Sequence, residues 1–164
     1  MYNPFQQSEI EKIYQKYLIQ IIQKIKVRYH SLGLVSSGLF ERELEYLIQN
    51  NKLSIVGAKH TYFMEEGRNA GKFPPIKAIE NWIKVKNGLP AIFKEKPKQF
   101  AFIIARKIAK EGIKVPNKYN KGRVASMIID DFLEKDLDKM LSEIGLSVAE
   151  RIQSDLIQIF KIAS

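Results

Sequence analysis

Three groups of residues have the types that do chemistry. The loop "GRNAGK", Gly67–Lys72, sets two glycines and a lysine in the manner of a phosphate cradle. Such a cradle needs G-x-x-x-x-G-K-[ST] after a strand and directly before a helix, so that backbone N–H groups and a hydroxyl-held Mg²⁺ meet the phosphates. Here Gly67 and Gly71 enclose three residues, and Lys72 is followed by Phe73 rather than a hydroxyl. Pro74 and Pro75 then remove N–H donors where phosphate would need them. The spacing argues against a nucleotide site, and the G-x-G-x-x-G fingerprint is absent too. Glu65–Glu66 and Asp130–Asp131 are adjacent carboxylates. Neighbouring side chains point to different faces of a helix or strand, so neither pair makes an acid–base dyad. Solvated surface or helix-start charge is the expectation for both. His60 falls in an expected strand without an acidic or nucleophilic partner at useful spacing, and His30 is the other of only two histidines. There is no cysteine, which removes thiol catalysis and Cys-ligated zinc. With no G-x-S-x-G elbow and no H-E-x-x-H, the expectation is a chain with no catalytic residue, cofactor, metal or small-molecule substrate.

The elements that hold these residues follow from periodicity. Residues 8–30 read as a helix, with Ser8 and Glu11 as a capping box, Ile10, Tyr14, Tyr17, Ile21 and Ile25 on one face, and Gly33 as the stop. Over 36–67 the period shortens toward two. Phe40, Leu44, Tyr46 and Ile48 alternate with Glu41, Glu43 and Glu45, which predicts a strand, with helix as the competitor. "NNK" supplies a turn, and "LSIVGAKHTYFM" reads as the returning strand, with a bulge or close approach at Gly57. Residues 68–75 form a loop. A helix over 76–87 follows, entered through Pro74–Pro75 and ended by Gly88 and Pro90. A second helix spans about 97–110, with Gly112 beyond its end, and 113–123 is the best candidate for a flexible excursion. From Val124 onward apolar residues recur every three or four positions. One long helix is favoured over a break at Gly145 before the S-x-x-E of Ser147 and Glu150. The predicted class is α+β: a small antiparallel hairpin with four to five helices, long at both ends, in a single domain over 1–164.

Charge is distributed unevenly over the 164 residues. Residues 1–50 carry 6 basic and 5 acidic side chains, 51–125 carry 17 and 5, and 126–164 carry 4 and 8. The middle, at +12, suits a polyanionic partner or a solvated surface, and the acidic end, at −4, permits identical copies to meet head-to-tail. No apolar run approaches the roughly 20 residues that span a bilayer. The polar N-terminus lacks a signal-peptide core, so a soluble intracellular protein without a membrane partner is expected. Trp82, on an amphipathic helix, is expected in the core.

Residues Tyr62–Gly88 also carry a family likeness. Tyr62, Glu66, Gly67, Arg68, Gly71, Pro74, Pro75, Ile79, Trp82, Ile83 and Lys86 match a motif that resembles the tail-completion, or head–tail joining, proteins of tailed bacteriophages. These are neck components, usually described as minor structural tail proteins. Asn87 intervenes before Gly88, which departs from the spacing. "FAFIIARKIAKEGI" over 100–113, with its basic pair Arg106–Lys107, is similar to the family's next helix. The likeness is close over about 50 residues and loose over most of the chain.

The resemblance implies a structural subunit that assembles into a ring of six- or twelve-fold symmetry around the DNA channel. Its partners would be copies of itself, the portal or adaptor above, the tail proteins below, and the double-stranded DNA passing through. It would reside in the neck of the virion, after synthesis in the bacterial host's cytoplasm. Arg68, Phe73, Pro74 and Pro75 are the candidate subunit contacts, presented by a stiff loop, with Trp82 as structural anchor. The alternative is a stand-alone basic nucleic-acid-binding domain. A small enzyme with an unfamiliar site is the third reading.

Overall fold

The computed structural model describes residues 4–35, 37–49 and 52–162. Among them are eight helices and one two-stranded antiparallel sheet, an α+β arrangement dominated by helix. The order is α1 (Pro4–Ser31), α2 (Leu39–Arg42), β1 (Glu45–Gln49), β2 (Lys52–Val56), α3 (Thr61–Glu66), α4 (Ile76–Val85), α5 (Ala91–Glu95), α6 (Pro97–Glu111), α7 (Ser126–Lys135) and α8 (Leu137–Ile162). The helices beyond the expected four or five are the short ones, α2, α3 and α5. Contacts divide the chain into two compact units, each discontinuous in sequence: 1–24, 46–55 and 127–164 form one, and 25–45 with 56–126 form the other.

In the first unit, α1 and α8 run antiparallel. Lys24 Nζ lies 3.2 Å from Asp136 Oδ2, and eight residues earlier Lys16 Nζ lies 2.7 Å from Glu143 Oε1. Tyr17, Leu18, Ile21 and Ile22 are the buried stripe of α1 here, and Phe132 and Met140 are buried on α7 and α8. The Tyr17 ring sits 5.9 Å from that of Phe132 and donates its hydroxyl to Glu143 at 2.9 Å. The α1 helix begins at Pro4, where a residue without an N–H donor fits the first turn. The proposed capping box therefore falls inside the helix, and the Ser8 side chain is outside the described residues. β1 half-buries alternate residues, with Tyr46 and Ile48 facing inward as the alternation predicts. Asn50 and Asn51, the predicted turn, are outside the described residues. The C-terminal run is continuous through Gly145, as favoured, but it divides at Asp136. The Asp136 N–H donates to Phe132 O and its carbonyl accepts from Met140, while its carboxylate is drawn to Lys139 and Lys24.

In the second unit, α4 packs along α6. Ala101 and Ala105 are fully buried and let the helices approach closely, and Ile83 of α4 is fully buried among the described side chains. The Phe93 ring of α5 stacks 4.1 Å from Phe100 of α6. The predicted strand at Phe40 is instead helical. Phe40 and Leu44 are both buried at a spacing of four, and the Phe40 ring lies tilted against that of Tyr29, 4.4 Å between centroids. The returning strand also ends early, at Val56. Its aromatic continuation, Tyr62–Met64, is helical in α3, because tertiary bonding overrides β-propensity: Asn120 Nδ2 donates to Met64 O at 2.9 Å. His60 consequently precedes α3 rather than lying in a strand. Gly57 lies just past β2, where an added Cβ would stand 3.4 Å from Thr61 Oγ1 and 3.5 Å from Leu44, a close approach rather than a bulge. The expected excursion over 113–123 is folded onto itself. Asn117 Oδ1 accepts the N–H groups of Tyr119 and Asn120, and Asn117 Nδ2 donates to Lys114 O.

The α1–α8 ion pairs set a pH dependence. Hydrogen bonds from Lys139 and then Lys24 hold the Asp136 carboxyl below its ordinary value, and bonds from Lys16 and then Tyr17 do the same for Glu143. A depressed folded-state pKa contributes stability above the unfolded value, which is near 4, and loses it as pH falls through the folded value. Thermal melts should therefore show Tm falling as pH drops from about 5 toward 2. Asp136→Asn with Glu143→Gln should lower Tm at neutral pH and flatten that acid limb. An acid limb as steep as wild type in the double variant would show that these carboxylates do not set it.

A candidate assembly surface around a glycine clasp

The "GRNAG" loop is built around two glycines that meet from distant parts of the chain. Gly67 ends α3 at φ 80° and Gly112 ends α6 at φ 73°, a region that residues with a Cβ rarely adopt. Between them runs a two-residue antiparallel bridge. Arg68 N–H donates to Ile113 O at 2.8 Å, and Ile113 N–H donates to Arg68 O at 2.7 Å. The backbones are so close that a Cβ on Gly67 would stand 2.1 Å from Ile113 O, and one on Gly112 would stand 2.3 Å from Arg68 O. Gly71, at φ 127°, turns the loop so that its N–H donates to Ala109 O at 2.7 Å. That bond, with Gly112 N–H to Ile108 O at 2.8 Å, satisfies two carbonyls left open at the end of α6. The glycines that resemble a phosphate cradle thus spend their N–H groups on helix carbonyls, leaving none aimed at an anion.

The remaining motif residues extend this corner. Arg68 Nη2 donates to Lys72 O at 2.8 Å, and its guanidinium lies 5.7 Å from the Phe63 ring centroid, so Arg68 braces the loop. Pro75 precedes α4 with extended backbone, and its carbonyl accepts Ala78 N–H at 3.0 Å. Lys86 Nζ donates to Gly33 O at 2.9 Å and Val35 O at 3.0 Å, tying the end of α4 to the segment after α1.

Two of the expected assignments change. Pro74 is buried against the corner, so among the four proposed contact residues Phe73 and Pro75 face solvent while Arg68 is half-buried and engaged. Trp82 is 39% exposed, and the buried anchor of α4 is its neighbour Ile83. One position along a helix rotates a side chain by about 100°, and the α6-facing stripe passes through Ile83. Composition favours burying tryptophan but cannot set that phase. Phe73 lies 6.1 Å from Phe102 of α6, and with Ile103 these side chains are 51%, 49% and 57% exposed. Helical spacing in the sequence places Phe100, Ile103, Ile104 and Ile108 on the inward face of this helix, but Ile103 is exposed, and the buried Ala101 and Ala105 show which side of α6 faces inward.

The carboxylates do structural work. Glu65 Oε2 accepts the Ser126 hydroxyl at 2.9 Å and Oε1 accepts the Ala125 N–H, placing negative charge where α7 begins. Asp131 pairs with Lys135 one turn on, which pushes the Lys135 ammonium up through that hydrogen bond. Glu80 is held below its ordinary value, first by its bond from Lys84. His30 Nε2 meets Glu41 at 2.5 Å on the surface. Among the described residues no three His, Cys, Asp or Glu side chains gather as a metal would require, and no helix is long and apolar enough to cross a membrane. Comparisons with family models, with curated proteins and with solved structures gave no match.

The clasp is testable by glycine substitution. Gly67→Ala and Gly112→Ala each force a Cβ onto a backbone oxygen and should cost about 3 kcal/mol or more in denaturant titrations. Gly145→Ala, in a helix interior with open space around it, should be stabilising by up to about 1 kcal/mol. Equal effects at the three positions would remove the clasp from the account.

Proposed function

We propose that this chain is a structural subunit of the head–tail connector of a tailed bacteriophage. Copies assemble into a ring in the neck, joining the portal or adaptor to the tail and leaving a channel for double-stranded DNA. The observation that carries this reading is the use to which the motif residues are put. Gly67, Arg68, Gly71, Pro75 and Lys86, the residues on which the resemblance rests, are bonded into a rigid corner that presents Phe73 and Pro75 outward. A motif of that kind shapes a surface for neighbours and carries out no turnover.

Charge supports an assembling role. The unit of residues 25–45 and 56–126 carries 19 basic and 8 acidic side chains, whereas the other unit carries 8 and 10. Opposite charge on two parts of one chain favours heterologous, head-to-tail contact between copies, the geometry that closes into rings. The same +11 on one unit favours the second reading, a basic nucleic-acid-binding domain.

Negative-stain microscopy and mass photometry of the purified protein decide between them. The connector reading expects closed rings at micromolar concentration, and labelled protein at the head–tail junction of virions. A protein that stays monomeric and binds duplex DNA with an affinity falling steeply as salt rises would replace it with the second reading.

A further inference from the structure

The exposed side of α6 pairs an apolar patch with unused positive charge. Phe102 and Ile103 stand in solvent beside Phe73, and Arg106, Lys107 and Lys110 continue the same side at positions i+4, i+5 and i+8 from Phe102. None of these three cations lies in an ion pair among the described residues, whereas Asp131, Asp136 and Glu143 each pair with a lysine. A second surface has the reverse character. Around the junction of α7 and α8, Leu133 and Leu141 are 53% and 52% exposed, and between them Glu134 and Asp138 take part in no ion pair among the described residues. The backbone bonds through Asp136 keep helical register across the junction, so Leu133, Glu134, Asp138 and Leu141 recur on one side. One surface is aromatic and cationic, the other aliphatic and anionic, and both have the length of about two helical turns.

We propose that the occupant of the α6 surface is a second copy of this chain, seated through its α7–α8 junction. Phe102 and Ile103 would cover Leu133 and Leu141, with Arg106 and Lys107 meeting Glu134 and Asp138. This rests on the connector reading and names the contact it requires. The two surfaces differ, so the contact is heterologous: each copy uses one surface on each neighbour and propagates the assembly. Charge complementarity selects a like chain over a neutral partner, and the apolar centre supplies the attraction that salt does not screen.

Charge reversal tests this in the full-length protein by mass photometry with negative-stain microscopy. Arg106→Glu with Lys107→Glu, and separately Glu134→Lys with Asp138→Lys, should each weaken self-association by about tenfold or more. All four positions are exposed, or nearly so, and circular dichroism checks that each variant is folded. Each variant alone sets like charge against like, but mixed at equal concentration the two should co-assemble with alternating copies, because native and reversed charge pairs then alternate along the assembly. The fourfold variant should regain assembly. Rings from both double variants at wild-type concentration would overturn the proposed contact and leave the connector reading standing. Co-assembly of the mixture, with a wild type that forms open chains rather than rings, would uphold the contact and reject the connector reading. A wild type that stays monomeric while its Arg106 and Lys107 side binds duplex DNA would overturn both.

Discussion

The unit built from 25–45 and 56–126 depends on one close approach of backbone to backbone. Where α3 ends at Gly67 and α6 ends at Gly112, the chain comes near enough for two reciprocal hydrogen bonds and too near for any Cβ. The approach fixes the direction in which the loop 68–75 leaves, and through Gly71 it caps the end of α6. It also sets Pro75 where its carbonyl opens α4. Sterics make the constraint sharp, since a methyl group 2.1 Å from a carbonyl oxygen cannot be relieved by rotating a side chain. The hydrogen bonds matter mainly because unpaired backbone groups buried at this site would be costly.

Around the clasp, polar side chains bond to the backbone. Glu65 receives the start of α7, Asn120 reaches Met64 O, and Lys86 meets two carbonyls after α1. The surface of α6 carries cations in no ion pair among the described residues, beside exposed aromatics at Phe73 and Phe102. Such a surface suits association, where geometry and charge do the work.

The first unit is held differently. Its long helices carry a narrow buried stripe, Tyr17 to Ile22, bordered by lysine–carboxylate pairs at Lys16 and Lys24. Exposed pairs of this kind contribute little each, so register between α1 and α8 rests chiefly on the buried residues. The outer part of α8 keeps Ile152, Leu156 and Ile159 exposed at heptad-like spacing.

Much of the local structure was decided by local sterics and so was legible in the sequence. Gly33, Gly88 and Gly112 end or follow helices at positive φ, and Pro75 opens one, because these residues have their preferences within one or two peptide units. The charge division and the lack of thiol chemistry were equally plain. What required the tertiary structure was every choice between near-equal local options. Phe40 and Tyr62–Met64 carry strand propensity and are helical, because Tyr29 and Asn120 hold them from elsewhere in the chain. Ile83 is buried and Trp82 exposed, because the phase of α4 against Ala101 and Ala105 is a property of two helices together. Gly67 and Gly112 are separately ordinary helix ends. Their need to be glycine comes from the backbone each meets, and residues that distant in the chain are brought together only by the fold.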